Sequence, residues 1–189
     1  MNDIVAFAGT RRIASGEFTH VVRKAKRHLD ETRDQNDAVL MFDAVSSKTI
    51  EVDFRGPIDD VIKRCKEKSP ESALERKPVG RPRLGVVPRE VTLLPRHWDW
   101  LNAQPGGASV ALRRLVEEAR KSSIPSDRKR EAQESAYRFM TVMAGNLPGY
   151  EEALRALFSG SPESFKSSVK EWPAHVREHA LELAGRALP

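Results

Sequence analysis

"DIVAFAGTRRIASG", residues 3–16, decides how the N-terminal half is built. Five apolar residues, Ile4 to Ala8, run without interruption, and a Gly-Thr pair separates them from "RRIASG". The stretch reads as two short strands joined by a turn. Beyond Gly16 the period becomes helical. In "EFTHVVRKAKRHLDE" the residues Phe18, Val21, Val22, Ala25 and Leu29 share one helical face, with basic residues elsewhere. "AVLMFDA" returns to strand character. In "KTIEVDFR", Ile50, Val52 and Phe54 alternate with Glu51, Asp53 and Arg55, the pattern of a half-buried strand, with "SSK" as the turn before it. A helix over Pro57–Lys66 comes next, with Pro57 in its first turn. The expectation is an α+β fold: a small β-β-α-β-β(-α) sheet domain over residues 1–66.

Residues 67–88 change composition. Four prolines, two glycines and dense charge predict an extended basic linker. Residues 89–189 are expected to be a strand-helix-helix unit followed by a helical C-terminal region. "REVTLL" reads as a strand. "PRHWDWLNAQ" reads as a helix opened by Pro95, and "PGG" ends it. "ASVALRRLVEEARK" reads as a second helix, with Ser109 as N-cap and Leu112, Leu115, Val116 and Ala119 along one stripe. Beyond residue 126, stripes at helical spacing are separated by "GNLPG", by Ser161-Pro162 and by Trp172-Pro173.

Composition bounds the function. Hydrophobic residues make up 39% and charged residues 31% of the 189 residues, enough for a modest core and too charged for a membrane protein. Ile4–Ala8 is far short of the ~20 apolar residues a spanning helix needs. Asp3 and the lack of early basic residues argue against a secretory signal, so a cytoplasmic location is expected. Cys65 is the sole cysteine, which excludes an internal disulfide and a Cys-based zinc site. We read it as a small, partly buried hydrophobe.

The net charge of +5 is unevenly distributed. Arg76, Lys77, Arg81, Arg83, Arg89 and Arg96 face Glu90 alone within 21 residues, and this run accounts for the whole excess. Concentrated positive charge is the footprint of a protein that binds a polyanion. Within the run, "KPVGRPR", Lys77–Arg83, resembles the AT-hook, a short arm built on Gly-Arg-Pro with basic flanks. Gly80, Arg81 and Pro82 match its core, and Lys77, Pro78 and Arg83 its flanks; Val79 stands where a basic residue often does. The resemblance implies that Arg81 enters an A·T-rich minor groove, which is narrow and strongly negative. Gly80 permits close approach, and the prolines keep the arm extended.

"REVTLLPRHWDWLNAQPGGASVALRRLVEEAR" resembles the ribbon-helix-helix family, in which one strand from each of two subunits pairs and enters the major groove. The resemblance implies a homodimer, with Arg89–Leu94 as the ribbon. It makes Ala108–Val110, including Ser109, a phosphate clamp, and puts Arg96, Arg113 and Arg114 within reach of the backbone. Two registers are open. One turns Glu90 and Thr92 to the groove; the other turns Arg89, Val91 and Leu93 there.

Other motifs carry less. "HVREH", His175–His179, fits the H-x-x-E-H zinc pattern, but only ten residues come after it and no downstream ligand is available, so we read a solvated helix face. "GASVA" lacks the strand and strained turn of a nucleophile elbow. Trp98, Trp100 and Trp172 read as core anchors, and Asp127–Arg130 as a helix start with a basic patch. No set of catalytic groups, metal ligands or cofactor loop assembles, and no enzyme is expected. Over nearly its full length, through "FAGTRRIASG", "GRPRLGVVPREVTLLPRHWDWLNAQPGGAS" and "AYRFMTVMAGNLPG", the chain resembles an uncharacterised bacterial family, domain of unknown function 2239. Its label implies a bacterial origin and no activity. The expected function is DNA binding, as a dimeric transcriptional regulator or nucleoid-associated protein with a minor-groove arm. The rival expectation is a scaffold module that binds a protein partner and no nucleic acid.

Overall fold

All five residues of Ile4–Ala8 are buried, because this strand (β1) lies in the middle of the sheet with a layer on each face. The computed structural model describes residues 3–32, 38–67, 87 and 89–188. Among these the elements are β1, β2 (Arg11–Gly16), α1 (Phe18–Glu31), β3 (Val39–Asp43), α2 (Ile58–Glu67), α3 (Pro95–Asn102), α4 (Gly107–Ala144), α5 (Tyr150–Ser159), α6 (Pro162–Ser168) and α7 (Ala174–Ala184). The three strands form one antiparallel sheet in the order β2-β1-β3. The fold is α+β, as expected.

The chain divides into two compact units, Met1–Ala73 with Arg128–Pro189, and Leu74–Asp127. In the first, the alternation of β1 deals its side chains to two cores. Ile4 and Ala6 pack with Val21, Val22 and Ala25 of α1 and with Val61 and Ile62 of α2. Val5 and Phe7 pack with Phe42 of β3, with Phe139 and Met140 of α4, and with buried residues of α5, α6 and α7. The C-terminal helices, which sequence reading groups with residues 89–189, thus share a core with the N-terminal sheet. Burial of each such large side chain contributes roughly 1.5–3 kcal/mol.

Two expected strands are absent among the described residues. Pairing of Lys48–Arg55 with β3 stops early: Phe42 and Thr49 form an isolated bridge, and the Ile50 amide donates to the Met41 carbonyl at 2.8 Å. Beyond it the Asp53 carboxylate accepts from the Arg55 amide (3.1 Å) and guanidinium (2.9 Å), while Arg64 donates to the Asp53 carbonyl (2.9 Å). Local side-chain bonds replace the ladder. Ile50, Val52 and Phe54 still pack on the α1–α2 core, so the alternation marks burial correctly and pairing wrongly. Arg89–Leu94 likewise joins no sheet.

One helix replaces two. α4 runs unbroken through Pro125, so Asp127–Arg130 lies within a helix rather than at its start. Pro125 lacks the amide that would reach back one turn, but its fixed φ suits a helix. The hydroxyls of Ser122, Ser123 and Ser126 donate to carbonyls three residues back, at 2.9, 3.3 and 2.8 Å.

The C-terminal helices are locked by local contacts. Trp172 is buried, its indole N–H donating to the Pro148 carbonyl at 2.8 Å. Gly149 has φ +79°, and a Cβ there would collide with the Ser168 carbonyl, which explains a glycine at this turn. Arg138 of α4 donates to the Ser46 carbonyl and Arg186 to the Ala44 carbonyl, each at 2.9 Å, fixing the turn after β3.

His179 corrects the reading of "HVREH" as a solvated face. It is 3% exposed and packs edge-to-face on Phe139, ring centroids 4.6 Å apart, with Phe7 at 5.8 Å. Its Nδ1 lies 3.0 Å from a Glu182 carboxylate oxygen, and Glu182 in turn accepts from Arg12 of β2 at 3.2 Å. A carboxylate only accepts, so Nδ1 carries the proton and Nε2 is left buried without a partner among the described residues. Burial pushes the His179 imidazole below its ordinary value of 6.5, and the Glu182 hydrogen bond only partly opposes this. The unfolded chain therefore takes up this proton first as the pH falls. His179 contributes full stability above about pH 6.5 and loses it below. Melting curves should show the wild type losing stability between about pH 7.5 and 5.5, and His179→Gln losing less over that window. An equal loss in both would exclude His179 as the titrating group.

Candidate nucleic-acid interface

The residues assigned to the minor-groove arm, Lys77, Gly80, Arg81, Pro82 and Arg83, lie outside the described residues. The described part of their unit begins around Arg89. Arg89, Glu90, Val91, Thr92 and Leu94 are exposed and Leu93 is half-buried. Among the described residues, no backbone hydrogen bond ties Arg89–Leu93 to another segment. The Leu94 carbonyl opens α3 by accepting from His97 at 2.8 Å, and Pro95 takes the first helical position as expected.

The turn between α3 and α4 is built by glycine. The Gln104 amide donates to the Leu101 carbonyl at 3.2 Å, and the Gly107 amide to the Gln104 carbonyl at 2.9 Å. Gly106 and Gly107 have φ of +84° and +73°, the region L-residues avoid. At Gly106 a Cβ would lie 3.1 Å from two carbons of Val110. Because the glycines reverse the chain, α4 starts at Gly107. Ser109 falls in its first turn and is not its N-cap, correcting the sequence reading.

The predicted contact residues are only partly brought together. Arg96 is exposed in the first turn of α3, and among the described residues neither it nor Arg89 joins an ion pair. Arg113 folds back on its own helix, its Nε donating to the Ser109 carbonyl at 3.1 Å. Arg114 lies 3.9 Å from the Glu118 carboxylate one turn on. No described group of His, Cys, Asp and Glu could hold a metal ion.

Apolar exposure is the unit's main physical feature. Leu101 and Ala111 are buried, but Trp100, Val110, Leu115 and Val116 are exposed, Val116 by 63%. Of the twelve exposed large hydrophobic side chains among the described residues, eight lie between Val87 and Ile124. The stripe Leu112, Leu115, Val116 and Ala119, expected in a core, is half-buried at Leu112 and exposed at the other three positions. Trp100, read as a core anchor, is 51% exposed, whereas Trp98 is half-buried. Sequence reasoning also missed a group of cations between β2 and α1, whose signal was the pair Arg11-Arg12 beside Lys24 and Arg27 opposite the apolar face of α1.

The glycine turn gives a test. Gly106→Ala should cost about 1–2 kcal/mol locally, from positive φ and the Val110 contact. Amide hydrogen exchange at Gln104–Val110 should speed up by about tenfold, while β1 amides stay protected. Unchanged exchange at the turn would show that the backbone relaxes freely there.

No helix among the described residues is long and apolar enough to cross a membrane. Neither the curated proteins nor the solved structures contain a match to the chain. Residues 3–184 match the family described as "uncharacterized protein conserved in bacteria (DUF2239)", and the chain belongs to that family.

Proposed function

We propose that this is a cytoplasmic DNA-binding protein that acts as a homodimer through the unit containing α3 and α4. The observation that carries the reading is the segment Arg89–Leu93, which has no backbone hydrogen bond to another segment among the described residues, followed by a helix pair whose apolar stripe is largely exposed. An extended segment with free amides and carbonyls is a template for pairing with its twin. Exposed apolar side chains concentrated in one small unit favour burial against a second copy. Leu93 is the least exposed residue of Val91–Leu94, which favours the register that turns Val91 and Leu93 inward and Glu90 and Thr92 toward the groove.

The charge supports DNA as the ligand. The run Arg76–Arg96 holds six basic residues against one acid. In this reading Arg81 reads an A·T-rich minor groove, Lys77 and Arg83 steady the arm on phosphates, and Gly80 and Pro82 shape it. Arg89, Arg96, Arg113 and Arg114 add electrostatic affinity, and the first turn of α4, with Ser109, offers its amides to a phosphate.

Fluorescence anisotropy on an A·T-rich duplex at about 50 and 200 mM salt tests this. Binding should fall steeply with salt, and Arg81→Ala should weaken it by about tenfold, the loss of one well-placed contact. Sedimentation should return twice the 21.2 kDa chain mass, and Val116→Asp should yield monomers. Absence of binding at low salt, or indifference to Arg81→Ala, overturns the reading. A stable monomer removes the ribbon.

A further inference from the structure

We propose a phosphate-binding site in the groove between β2 and α1, a site in the first unit that stands apart from the DNA-binding reading. The groove has a volume of about 310 Å³. That is at the lower end of the range for small-ligand sites, roughly 300–1,000 Å³. Arg11 and Arg12 line it from β2, and Lys24 and Arg27 from α1; Glu31 is the sole carboxylate among the described residues that line it.

A β-bulge explains how the arginines are placed. β1 and β2 pair Ala6 with Ala14 but Phe7 with Arg12, so Ile13 is the extra residue. Ile13 and Ala14 both pack on the α1 side of the sheet. The shift puts Arg12 on the same face as Phe7, where it meets Glu182 of α7, and returns Arg11 to the α1 face. Without the extra residue every side chain beyond it would change face. The bulge also turns the Arg12 amide to His175, whose Nδ1 accepts it at 3.2 Å.

The cations differ in availability. Arg12 is engaged by Glu182. On α1, Lys26 is paired with Asp30, and Arg23 lies 3.6 Å from Asp59 of α2. Arg11, Lys24 and Arg27 are exposed, and none of them joins an ion pair among the described residues. Three cations that join no ion pair among the described residues, against one lining carboxylate, leave the concavity with excess positive charge, and a group with several anionic oxygens meets all three. Arginine forks match such oxygens bidentately. The walls are charged rather than apolar, which fits a phosphate chain better than a ring system. Such a phosphate comes from a free phosphorylated metabolite or from a nucleic-acid backbone.

Calorimetric titration of the whole chain with inorganic triphosphate at low salt tests the site. Binding should weaken by about tenfold or more in Arg11→Ala/Lys24→Ala/Arg27→Ala, since three cations are lost. It should be little changed in Arg155→Ala/Lys166→Ala/Lys170→Ala, which removes as many cations from α5, α6 and the segment after α6. Far-UV circular dichroism confirms folding; all six side chains are exposed. No binding at low salt, or equal weakening by both triple variants, overturns the proposal. If an A·T-rich duplex displaces the triphosphate, the source is a nucleic-acid backbone; if it does not, the source is a free phosphorylated ligand. Arg81→Ala should leave triphosphate binding intact, so failure of this site and failure of the minor-groove arm are separable.

Discussion

The first unit depends on one strand being buried on both faces. β1 has five consecutive buried residues, and its period of two deals Ile4 and Ala6 to one core and Val5 and Phe7 to the other, as β3 does with Met41 and Phe42. This makes the two layers interdependent. α1 and α2 lie against Ile4 and Ala6; the C-terminal helices lie against Val5 and Phe7. Neither layer has a complete core without β1. The sequence separation is large: Phe7 meets Phe139, their ring centroids 5.4 Å apart, across most of the chain. Such non-local closure carries a large entropic cost before its contacts form.

Legibility tracks the range of the interaction that decides each feature. The β1–β2 turn, α1, and the starts at Pro95 and Pro162 depend on neighbouring residues and are readable directly. Alternation in "KTIEVDFR" records which side chains are buried. It does not record that Asp53 holds Arg55 and ends the ladder, because burial and backbone pairing are separate events. His179 is illegible for a related reason. On its own helix it sits beside charged residues; only the approach of Phe7 and Phe139 makes its position interior. The continuity of α4 is hidden because Pro125 weakens a helix without ending it when its neighbours supply the remaining bonds.

The α3–α4 unit shows the opposite relation. Its sequence periodicity places Leu112, Leu115, Val116 and Ala119 on one stripe, yet most of that stripe is exposed. An amphipathic pattern states that a face needs a partner. It does not state whether the partner lies in the same chain. In β1 the demand is met internally; among the described residues of this unit two buried apolar residues, Leu101 and Ala111, stand against eight large exposed ones. The candidate interface therefore rests on a mismatch between pattern and burial, which neither sequence nor structure exposes alone.

Charge obeys a similar logic. Many basic residues on the helices are neutralised by a carboxylate one turn away, as in Arg120 with Glu117, Arg138 with Glu134 and Lys166 with Glu163. Exposed pairs of this kind contribute little to stability, but they cancel the local field. A cation without such a neighbour projects further and costs less to recruit, since no existing ion pair must open before a ligand binds. The composition of 32 basic and 27 acidic residues hides this difference. Arg11, Lys24 and Arg27 are brought to one groove by a bulge and a helical turn. The β-bulge decides which arginine is free: in regular register Arg11 would take the Glu182 face and Arg12 the α1 face.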